Sequence, residues 1–537
     1  MSGENTAIAE QLERFAALLD LSGAGYYSVR AYRRAAEVVR ALPAPVGDLV
    51  RSGQVRAVRG IGPAIEARLH ELVETGRIAE LDELEDAVVP ELVAVGRLVG
   101  LSPARAVAAG RALGIRSGAE LREAAAAGRL REVPGIGPAT EAKVLRALAA
   151  ERPAPRRGLV LDRALALTES VAGSLGGVAA GDARRRRDVS ERLAVVVASP
   201  RPGELLDAAA RLPQLVSVLG RDEERLVGLT IEGVPVEVVA ARPGRFGTAL
   251  VRATGSEGYV EALGPLPDAP DEPALYRALG LPYLPPELRE APFRGAPPRL
   301  VEPGDVRGDL HVHTTWSDGK ASVLEMGRAA RELGYEYVAI CDHTVSVRVV
   351  PGLDAEAVRR QAEEIAAANE ELAPFRILCG IECDILHDGS LDLPDDVLAG
   401  LDWVQASVHA GQRQSAEQLT RRMTEAARHP AVRSISHPQG RILNHRPPNA
   451  VDLERLFEVC RDTGTAVETN GLPDRLDLAG ELVREAIAAG VAITAGSDSH
   501  SVGGLRNMAL AVATARRGWA TAADVLNTRP LAGLLPR

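Results

Sequence analysis

The sequence is short of the features that mark secreted and membrane proteins. Only four of its 537 residues are cysteines, all in the C-terminal half, which is too few for a disulfide framework. No apolar run approaches the roughly 18 residues that span a bilayer. The polar start, Met1 to Glu10, lacks the basic segment and apolar stretch of a secretion signal. These absences predict a cytoplasmic protein that does not bind membranes.

The sequence also lacks an excess of positive charge. Its 63 lysines and arginines, of which only Lys143 and Lys320 are lysines, are outnumbered by 73 acidic residues, and the net charge is -10. A protein that binds nucleic acid over its whole surface needs the opposite balance, because phosphates attract positive charge. The composition therefore excludes a uniformly basic nucleic-acid binder. It leaves room for a protein that holds DNA locally or through backbone amides.

The N-terminal part contains a repeat of glycine turns between amphipathic helices. Residues 1 to about 150 carry apolar side chains at helical spacing, interrupted by three turns roughly 35–40 residues apart. The turns are Val58 to Pro63, Val99 to Pro103 and Val133 to Pro138, and the first and third contain Gly-Ile-Gly. One such turn is usually a helix cap, whereas a repeat predicts helix-hairpin-helix elements that hold DNA phosphates without reading sequence.

The expected DNA contacts of these hairpins are backbone amides, supported by nearby arginines. Glycines at the entry to a helix let phosphate approach the N–H groups of its first turn. The candidate DNA-binding residues are Gly60, Gly62, Gly135, Gly137, Arg59 and Arg68. In the middle turn, Ser102 replaces the second glycine, and its side chain is expected to hinder close phosphate approach.

Beyond residue 150 the pattern changes twice. From about 155 to 280, apolar runs such as Leu193 to Ser199 and Val234 to Ala241 predict strands in a mixed α/β region. Prolines are frequent in residues 281–305, which we interpret as an extended linker. Residues 306–537 alternate short apolar strands with amphipathic helices, and this alternation predicts a parallel α/β fold.

Nine of the ten histidines follow residue 305, and most stand where a predicted strand ends. His311 and His313 alternate on one strand, so both rings point to the same side. Beside them, the strand-end side chains are Asp318, Asp342, His343, Glu382, His409, His437, Asp498 and His500. In a parallel barrel, the ends of the strands converge on one mouth. Imidazoles and carboxylates collected there require cations, and this mixture suits two or three Zn²⁺ or Mn²⁺ ions.

The alternative is that these residues are scattered over the surface or cap helices. That interpretation suits a single residue such as His429, and His387 also lies outside the pattern, whereas a whole set at strand ends favours a site. Such a centre predicts phosphoester hydrolysis, because paired cations bind phosphate oxygens and activate a water. Arg441 is a candidate phosphate clamp or else a salt-bridged arginine, and His445 is a candidate substrate contact.

The C-terminal motifs resemble those of PHP (polymerase and histidinol phosphatase) domains over residues 306–537. The similar motifs are His311-Val-His313, Ser317-Asp318-Gly319, Asp342-His343, Gly380-Ile381-Glu382, Ser407-Val408-His409, His437 to Arg441 and Ser497 to His500. The resemblance implies a distorted seven-stranded α/β barrel with three metals. The first would take His311, His313, Glu382 and Asp498, the second Glu382, His409 and His437, and the third Asp318, His343 and His500. The implied catalytic set is Glu382, His409, Asp498 and Arg441.

The whole chain resembles the bacterial X-family DNA polymerases, in which a polymerase-β-like module is fused to a PHP domain. Arg30 to Ala36 and Glu74-Thr75-Gly76 are similar to the first helical domain of that family. Related enzymes carry a lyase lysine on the helix after the first hairpin, and Arg68 matches that position. Because arginine stays protonated and does not readily form a Schiff base, we expect no lyase activity.

The same resemblance identifies a polymerase site that has lost its metal ligands. Gly181 to Arg185 is similar to the Gly-Ser-x-Arg-Arg motif of the family palm. A gapless alignment then places Arg192 and Ala194 at the two catalytic aspartates, while Glu237 occupies the third carboxylate position. A cation at residue 192 would repel Mg²⁺, so we expect no polymerisation. The run Arg184 to Arg187 is either a solvated charged face or a DNA contact.

We therefore predict a multidomain protein with an all-α N-terminal region, an α/β palm and a C-terminal (β/α)7 PHP barrel. The predicted limits are helix-hairpin-helix domains at 1–80 and 81–152, a degenerate palm and thumb at 153–280, the linker at 281–305 and the PHP domain at 306–537. The predicted function is a 3′–5′ exonuclease or 3′-end processing enzyme of DNA repair. It would bind three Mn²⁺ or Zn²⁺ ions and act as a monomer on gapped or primer–template DNA.

Two other functions are compatible with parts of the sequence. An active polymerase with a proofreading PHP domain is disfavoured by Arg192 and Ala194. A non-catalytic scaffold at DNA ends is disfavoured by the complete set of candidate ligands. A phosphatase of small molecules would not need three DNA-binding hairpins.

Overall fold

The structure is a computed structural model that describes residues 3–42, 44–58, 60–149, 158–293, 295–348 and 350–535. The chain divides into two compact units, which are residues 1–158 with 201–240 and residues 159–200 with 241–537. The predicted palm, 153–280, is thus shared between the two units. Within the described residues, no helix is long and apolar enough to cross a membrane.

The elements up to residue 278 are mostly helical at first and then mixed. They are α1 (Gly3–Ser22), α2 (Tyr26–Ala41), α3 (Val46–Arg51), α4 (Pro63–Thr75), α5 (Ala79–Ala87), α6 (Pro90–Val99), α7 (Pro103–Leu113), α8 (Gly118–Ala126), α9 (Pro138–Ala149), β1 (Leu159–Val160), α10 (Leu161–Leu175), β2 (Val178–Ala180), α11 (Gly181–Arg184), β3 (Val189–Ser190), β4 (Leu193–Ala198), α12 (Pro202–Ala209), β5 (Leu215–Arg221), β6 (Arg225–Thr230), β7 (Pro235–Ala241), α13 (Phe246–Thr254), α14 (Glu257–Leu263) and α15 (Glu272–Ala278).

From residue 308 onwards, strands and helices alternate. These elements are β8 (Gly308–Val312), α16 (Val323–Glu332), β9 (Tyr337–Ile340), α17 (Ala355–Leu372), β10 (Arg376–Asp384), α18 (Asp395–Leu398), β11 (Trp403–Ser407), α19 (Ala416–Ala427), β12 (Val432–Ile435), α20 (Leu453–Thr463), β13 (Ala466–Asn470), α21 (Gly480–Ala488), β14 (Ile493–Gly496), α22 (Met508–Arg517) and α23 (Leu531–Leu534).

The first unit is built around two helical cores. In the first, the rings of Phe15 on α1 and Tyr32 on α2 meet edge to face with centroids 4.9 Å apart, and Leu69 of α4 is fully buried beside them. The second core gathers the buried faces of α6 to α9 and includes Leu229 of β6. Strands β5, β6 and β7 pair antiparallel in chain order. The predicted helical N-terminal region and mixed α/β region are thus both confirmed.

The second unit contains a parallel barrel. Strands β8 to β14 pair in sequential order, and each is followed by at least one helix, as the alternating pattern predicts. The sheet curls until its edges meet, because Val312 of β8 forms a parallel bridge with Ser499 and the His313 N–H donates to the Ser499 carbonyl at 2.8 Å. The result is a nearly closed barrel of seven strands, which confirms the predicted fold class.

Local signals begin the helices that cover this barrel. Ser322 and Glu325 form a capping box at the start of α16, and Ser415 and Gln418 form another at α19. Asp354 caps α17 by accepting from a backbone N–H of its first turn. Each cap fixes the start of a helix after the loop that leaves a strand end, and these loops lie at one mouth of the barrel.

The proline-rich segment 281–305 is packed into the second unit, in contrast to the extended linker that its composition predicts. Leu284, Leu288 and Arg289 are buried, with Arg289 fully buried. The Arg289 guanidinium lies 5.4 Å from the ring centroid of Tyr276 and forms a 2.6 Å ion pair with Glu272. Leucine and arginine side chains thus anchor this segment to the rest of its unit.

Three of the four arginines from 184 to 187 form ion pairs within the protein, whereas the sequence predicts a solvated charged face or a DNA contact for this run. Arg184 donates to both Glu272 carboxylate oxygens, at 2.7 and 2.9 Å. Arg185 pairs with Asp182 and, at 3.0 Å, with Glu290. Arg187 also reaches Glu290, at 3.3 Å. These pairs connect the segment around α11 to Glu272 and Glu290.

We expect Glu272→Gln to lower the free energy of unfolding by about 3 kcal/mol at pH 7, because it leaves Arg184 and buried Arg289 without their shared anion. Burial alone would raise the pKa of Glu272, but the hydrogen bonds and charges of both arginines lower that pKa to about 2. A lowered carboxyl pKa stabilises the fold above the unfolded pKa near 4.5. The difference between variant and wild type should therefore shrink as the pH falls from about 4.5 towards 2.

Urea unfolding followed by circular dichroism at several pH values tests this expectation. Asp268→Asn is the matched control, since Asp268 pairs with Arg245 at 2.9 Å on the surface, where an ion pair contributes about 0–1 kcal/mol. Equal unfolding curves for the two variants at pH 7 would contradict a stabilising role of the buried pair.

Candidate metal centre

Six of the seven barrel strands bring predicted ligands to the same end of the barrel. Some of these ligands lie on β8 and β10 themselves. The others follow the ends of β8, β9, β11, β12 and β14. The structure brings all nine together: His311, His313, Asp318, His343, Glu382, His409, His437, Asp498 and His500. Most are buried, while Asp318, His409 and His500 are partly exposed. The cluster is therefore accessible to solvent on their side.

Glu382 lies at the middle of this cluster, and imidazoles surround its carboxylate. Oε2 lies 2.9 Å from His343 Nδ1, 3.6 Å from His311 Nε2 and 3.8 Å from His313 Nε2. Oε1 lies 2.8 Å from His437 Nε2 and 3.4 Å from His409 Nε2. The two oxygens of the Glu382 carboxylate thus face different imidazoles.

Two further carboxylates extend the cluster to either side of His313 and His343. Asp498 Oδ1 lies 3.1 Å from His313 Nε2 and 3.8 Å from His311 Nε2. Asp318 Oδ1 lies 3.2 Å from His500 Nε2 and 3.7 Å from His343 Nε2. Each carboxylate therefore faces the nitrogens of two imidazoles.

The donor separations fit metal ions. Two ligands about 2.1 Å from one tetrahedral zinc lie about 3.4 Å apart, which is the middle of the separations in this cluster. Three groups of donors converge to within 4.8 Å: His313, Asp318, His343 and His500; His311, His313 and Glu382; and His343, Glu382 and His409. Among the described residues, none forms a hydrogen bond with the buried His313 Nδ1. A mixed nitrogen and oxygen set suits Zn²⁺ or Mn²⁺.

The electrostatics of the cluster also call for cations. Burial opposes ionisation of Glu382, yet the charges of His409 and His343 hold its pKa well below the usual range. Burial likewise disfavours the charged imidazoles, but Glu382 raises the pKa of His409 to about 9. Asp318 and its neighbour Asp498 raise the pKa of His500 to about 9. Carboxylates that draw protons onto buried imidazoles in this way would bind divalent cations in their place.

Two acidic residues beside the cluster contact the candidate ligands or the loops that carry them. Asp342, which the sequence pattern includes among the strand-end residues, accepts from Thr314 N–H at 2.8 Å and from the Gln361 amide at 2.6 Å. Asp384 accepts from the His409 N–H at 3.0 Å and lies 3.4 Å from His409 Nδ1. Asp342 thus fixes the loop after β8, and Asp384 orients His409.

Glu468 and Asp384 have no counterpart among the candidate residues that the sequence pattern identifies. Glu468 lies on β13, the barrel strand that carries none of the nine ligands, and its Oε1 is 2.7 Å from His311 Nδ1. The signal that could have identified them is a carboxylate in a largely apolar strand. Glu468 lies in Ala466–Asn470, and Asp384 ends Arg376–Asp384. Such a buried acid requires a partner, and here the partner is an imidazole.

Arg441, the candidate phosphate clamp, is buried, and its guanidinium donates to groups of the protein. Its Nη2 pairs with Asp188 Oδ2 at 2.7 Å and also donates to the Leu476 carbonyl. Its Nε donates to the Arg475 carbonyl at 3.1 Å. These three contacts favour the salt-bridged alternative, because the protein itself supplies acceptors for the Arg441 guanidinium.

Comparison with known proteins places these features in one family. A family profile described as a PHP domain matches residues 309–468, a helix-hairpin-helix domain profile matches residues 3–78, and a SAM-like helix-hairpin-helix tandem profile matches residues 97–150. The DNA polymerase/3′-5′ exonuclease PolX of Bacillus subtilis is 33% identical over 558 residues, which cover 98% of this chain and 97% of the relative. The chain belongs to the bacterial X-family DNA polymerases with a PHP domain.

The C-terminal part of this X-family chain has relatives of its own. A probable phosphatase of Acetivibrio thermocellus is 30% identical over 201 residues, which cover 36% of this chain and 78% of the relative. Another from Caldanaerobacter subterraneus is 27% identical over 203 residues, again 36% of this chain and 75% of the relative. The PHP domain and these relatives indicate a hydrolase that uses divalent metals, in agreement with the clustered donors.

The first and third hairpins of this X-family chain have the same geometry. Gly60 and Gly135 have φ of +102° and +83°, which favours glycine. In each turn, the buried isoleucine that follows donates its N–H to a valine carbonyl three residues earlier, at 3.1 and 3.0 Å. Gly62 and Gly137 then precede α4 and α9, and a β-carbon at either would have no neighbour within 4 Å. The space that a phosphate would enter is therefore open.

The middle hairpin differs at its helix entry. The Ser102 hydroxyl accepts from the Arg105 N–H at 3.4 Å and caps α7. By contrast, Gly62 provides no side-chain cap for α4. The N-terminal amides of α4 are thus better placed to bind an external anion than those of α7.

Of the two arginines predicted to contact DNA beside the first hairpin, the structure describes only Arg68. Arg59 lies outside the described residues. Arg68 pairs with Glu71 at 2.9 Å and with Glu80, and its guanidinium carbon lies 5.8 Å from the ring centroid of Phe15. These contacts give Arg68 partners within the protein, so phosphate would have to compete with two carboxylates.

The candidate palm site of this X-family chain carries no cluster of acidic ligands at the predicted positions. Ala194 is buried in β4, where its methyl group lies 3.3 Å from the position of a β-carbon built on Gly181. Arg192 directly precedes that strand. Glu237 on β7 pairs with Arg225 at 3.0 Å. An alanine, an arginine and a glutamate already paired with a cation are a poor set for two Mg²⁺ ions.

Proposed function

We propose that this chain is a metal-dependent 3′–5′ exonuclease or 3′-end processing phosphodiesterase in DNA repair. The observation that carries this proposal is the convergence of nine imidazole and carboxylate side chains, with Glu382 at the middle of the cluster. The helix-hairpin-helix domains support DNA as the partner, and the printed name of the Bacillus subtilis relative includes this exonuclease activity. We propose gapped or primer–template DNA as substrate, three Mn²⁺ or Zn²⁺ ions per chain, a monomeric state and a cytoplasmic location.

The proposed ligands fall into three sets around shared residues. His311, His313, Glu382 and Asp498 would hold one ion, Glu382, His409 and His437 a second, and Asp318, His343 and His500 a third. Bound there, the cations would supply charge to the phosphate oxygens and lower the pKa of a water. Glu382 would bridge two of these sets, because its two oxygens face different imidazoles.

The remaining contacts prepare these side chains for their roles. His500 Nδ1 lies 2.9 Å from the Asp498 carbonyl, which fixes Nδ1 as the protonated nitrogen and leaves Nε2 facing Asp318. Asp384 holds the backbone and ring of His409. Because the donors are fixed before substrate arrives, little reorganisation is needed when a DNA 3′ end is bound.

A nuclease assay tests the proposed function. A primer labelled at its 5′ end and annealed to a longer template should shorten one nucleotide at a time when Mn²⁺ is added to the full-length protein. The 5′ label separates removal from the 3′ end from endonuclease or 5′ activity. Intact primer at every metal tested would contradict the proposal and favour the non-catalytic scaffold.

We further expect no primer extension by the full-length protein. Nucleotidyl transfer depends on metals that neutralise the triphosphate, and the three expected carboxylate positions carry Arg192, Ala194 and Glu237, which offer a single carboxylate. The measurement is incorporation of labelled nucleotides on gapped DNA with Mg²⁺ or Mn²⁺. It uses the His343→Ala variant as well, so that nuclease activity does not hide extension. Template-dependent incorporation that is lost in Glu237→Ala would support the active polymerase instead.

A further inference from the structure

Glu468 is a buried carboxylate that touches the candidate metal centre without belonging to it. It lies in the middle of β13, with its side chain fully buried in the barrel interior. Oε1 is 2.7 Å from His311 Nδ1. Oε2 accepts from the Ser436 hydroxyl at 2.7 Å and from the His437 N–H at 2.9 Å. Glu468 therefore contacts two proposed ligands, His311 and His437, and also Ser436, which directly precedes His437.

The barrel makes space for this carboxylate. A β-carbon at Gly496, on the neighbouring strand β14, would lie 2.1 Å from Glu468 Oε1 and 2.8 Å from the His311 β-carbon. A glycine at this position thus permits the contact between His311 and Glu468. Burying a carboxylate is costly unless it is hydrogen-bonded and paired, and here both conditions are met.

The contact decides which nitrogen of His311 faces the cluster. Because Nδ1 shares its proton with Glu468, Nε2 is left with its lone pair directed towards Glu382 Oε2 and Asp498 Oδ1, at 3.6 and 3.8 Å. A carboxylate behind a metal-binding imidazole also makes the ring a stronger ligand.

Glu468 also connects two other proposed ligands. Its bond to the His437 N–H fixes the end of β12 from which the His437 ring reaches Glu382. The Asn470 amide donates to Glu468 Oε2 at 3.3 Å and to Asp498 Oδ2 at 2.9 Å. One buried side chain thus supports three residues that the proposed function assigns to metals.

We infer that Glu468 is a positioning residue that holds His311, and with it the end of β12, in the geometry required for metal binding. This inference rests on the proposed metal centre but concerns metal affinity rather than DNA cleavage. A failure of the exonuclease proposal would appear as a wild-type protein that binds metal and does not cleave DNA. A failure of this inference would appear as a Glu468 variant that binds metal as the wild type does.

The test measures metal binding by full-length Glu468→Gln. Glutamine keeps the size and can still accept one hydrogen bond but removes the negative charge. After metals are stripped, Co²⁺ is titrated and its visible absorption recorded, with a competing chelator to define affinity. We expect one metal equivalent to bind about 10–100-fold more weakly, with the absorption band of that site altered. Wild-type affinity and spectrum at every site would overturn the inference.

Two further variants separate positioning from general stability. Ser434→Ala removes a 2.9 Å hydrogen bond to Thr494 inside the same barrel, two residues before Ser436, and should leave Co²⁺ binding unchanged. Ser436→Ala keeps Glu468 but removes a donor to its Oε2, so it should weaken the same metal site by a smaller factor. If Glu468→Gln does not fold, unchanged Co²⁺ affinity in Ser436→Ala would overturn the inference.

Discussion

Replacing Asp498 by asparagine should reduce removal of nucleotides from DNA 3′ ends by about 10³-fold or more, which corresponds to about 4 kcal/mol of transition-state stabilisation. Asp498 faces the imidazoles of His313 and His311, at 3.1 and 3.8 Å, so its charge is available to an ion that also binds these two residues. Asparagine keeps the shape and the hydrogen bond from Asn470 but cannot neutralise a cation. His343→Ala should have an effect of the same order, since that ring connects Glu382 and Asp318.

The matched controls are His429→Ala and Asp395→Asn. These residues form a pair outside the cluster, with His429 Nε2 3.4 Å from Asp395 Oδ1 at the surface of the barrel. Release of labelled nucleotides is measured for all four variants at equal, saturating Mn²⁺, and circular dichroism confirms that each is folded. Cleavage at wild-type rates by folded Asp498→Asn and His343→Ala would contradict the assignment of the active site.

The second large effect concerns DNA affinity. Gly62→Val together with Gly137→Val should weaken binding by about 100-fold, with each single variant contributing about tenfold, because charge-assisted hydrogen bonds to phosphate contribute about 1.5–3 kcal/mol each. Neither glycine has a positive φ, and a β-carbon at either meets nothing within 4 Å. The fold should therefore tolerate valine, while the branched side chain occupies the path of the phosphate.

Gly25→Val is the control for this effect. Gly25 precedes α2 with φ of -61°, and a β-carbon there also has open space, but it does not belong to a glycine hairpin. Affinity is measured by fluorescence anisotropy on labelled gapped DNA at several salt concentrations. The double variant should also show a weaker dependence on salt. Unchanged affinity in the double variant would move the DNA site away from the hairpins.

The sequence was most informative where local pattern and chemistry coincide. The strands that end in His343, Glu382 and His409 could be predicted because short apolar runs stop at residues that bind metals, and parallel strand ends converge. The hairpins could be predicted because Gly-Ile-Gly stands directly before a predicted helix and does so twice. In both cases, the signal lies within about ten residues of the functional group.

The contacts that could not be predicted join residues far apart in the chain. Asp188 and Arg441 are 253 residues apart, and Glu468 and His311 are 157 residues apart. Neither pair has a local pattern that identifies the partner. The proline-rich segment was interpreted as a linker for the same reason, since composition does not show that Arg289 finds Glu272. Only the folded barrel brings these groups together.

The most direct test of the account is the dependence of cleavage on metal bound at the barrel mouth. Full-length protein is stripped with a chelator, Mn²⁺ is added back in steps, and metal content and cleavage of a 5′-labelled primer–template are measured on the same samples. The account predicts that stripped protein does not cleave, and that activity returns as up to three equivalents bind to wild type but not to Asp498→Asn. Full cleavage by metal-free protein, or equal recovery in Asp498→Asn, would contradict it.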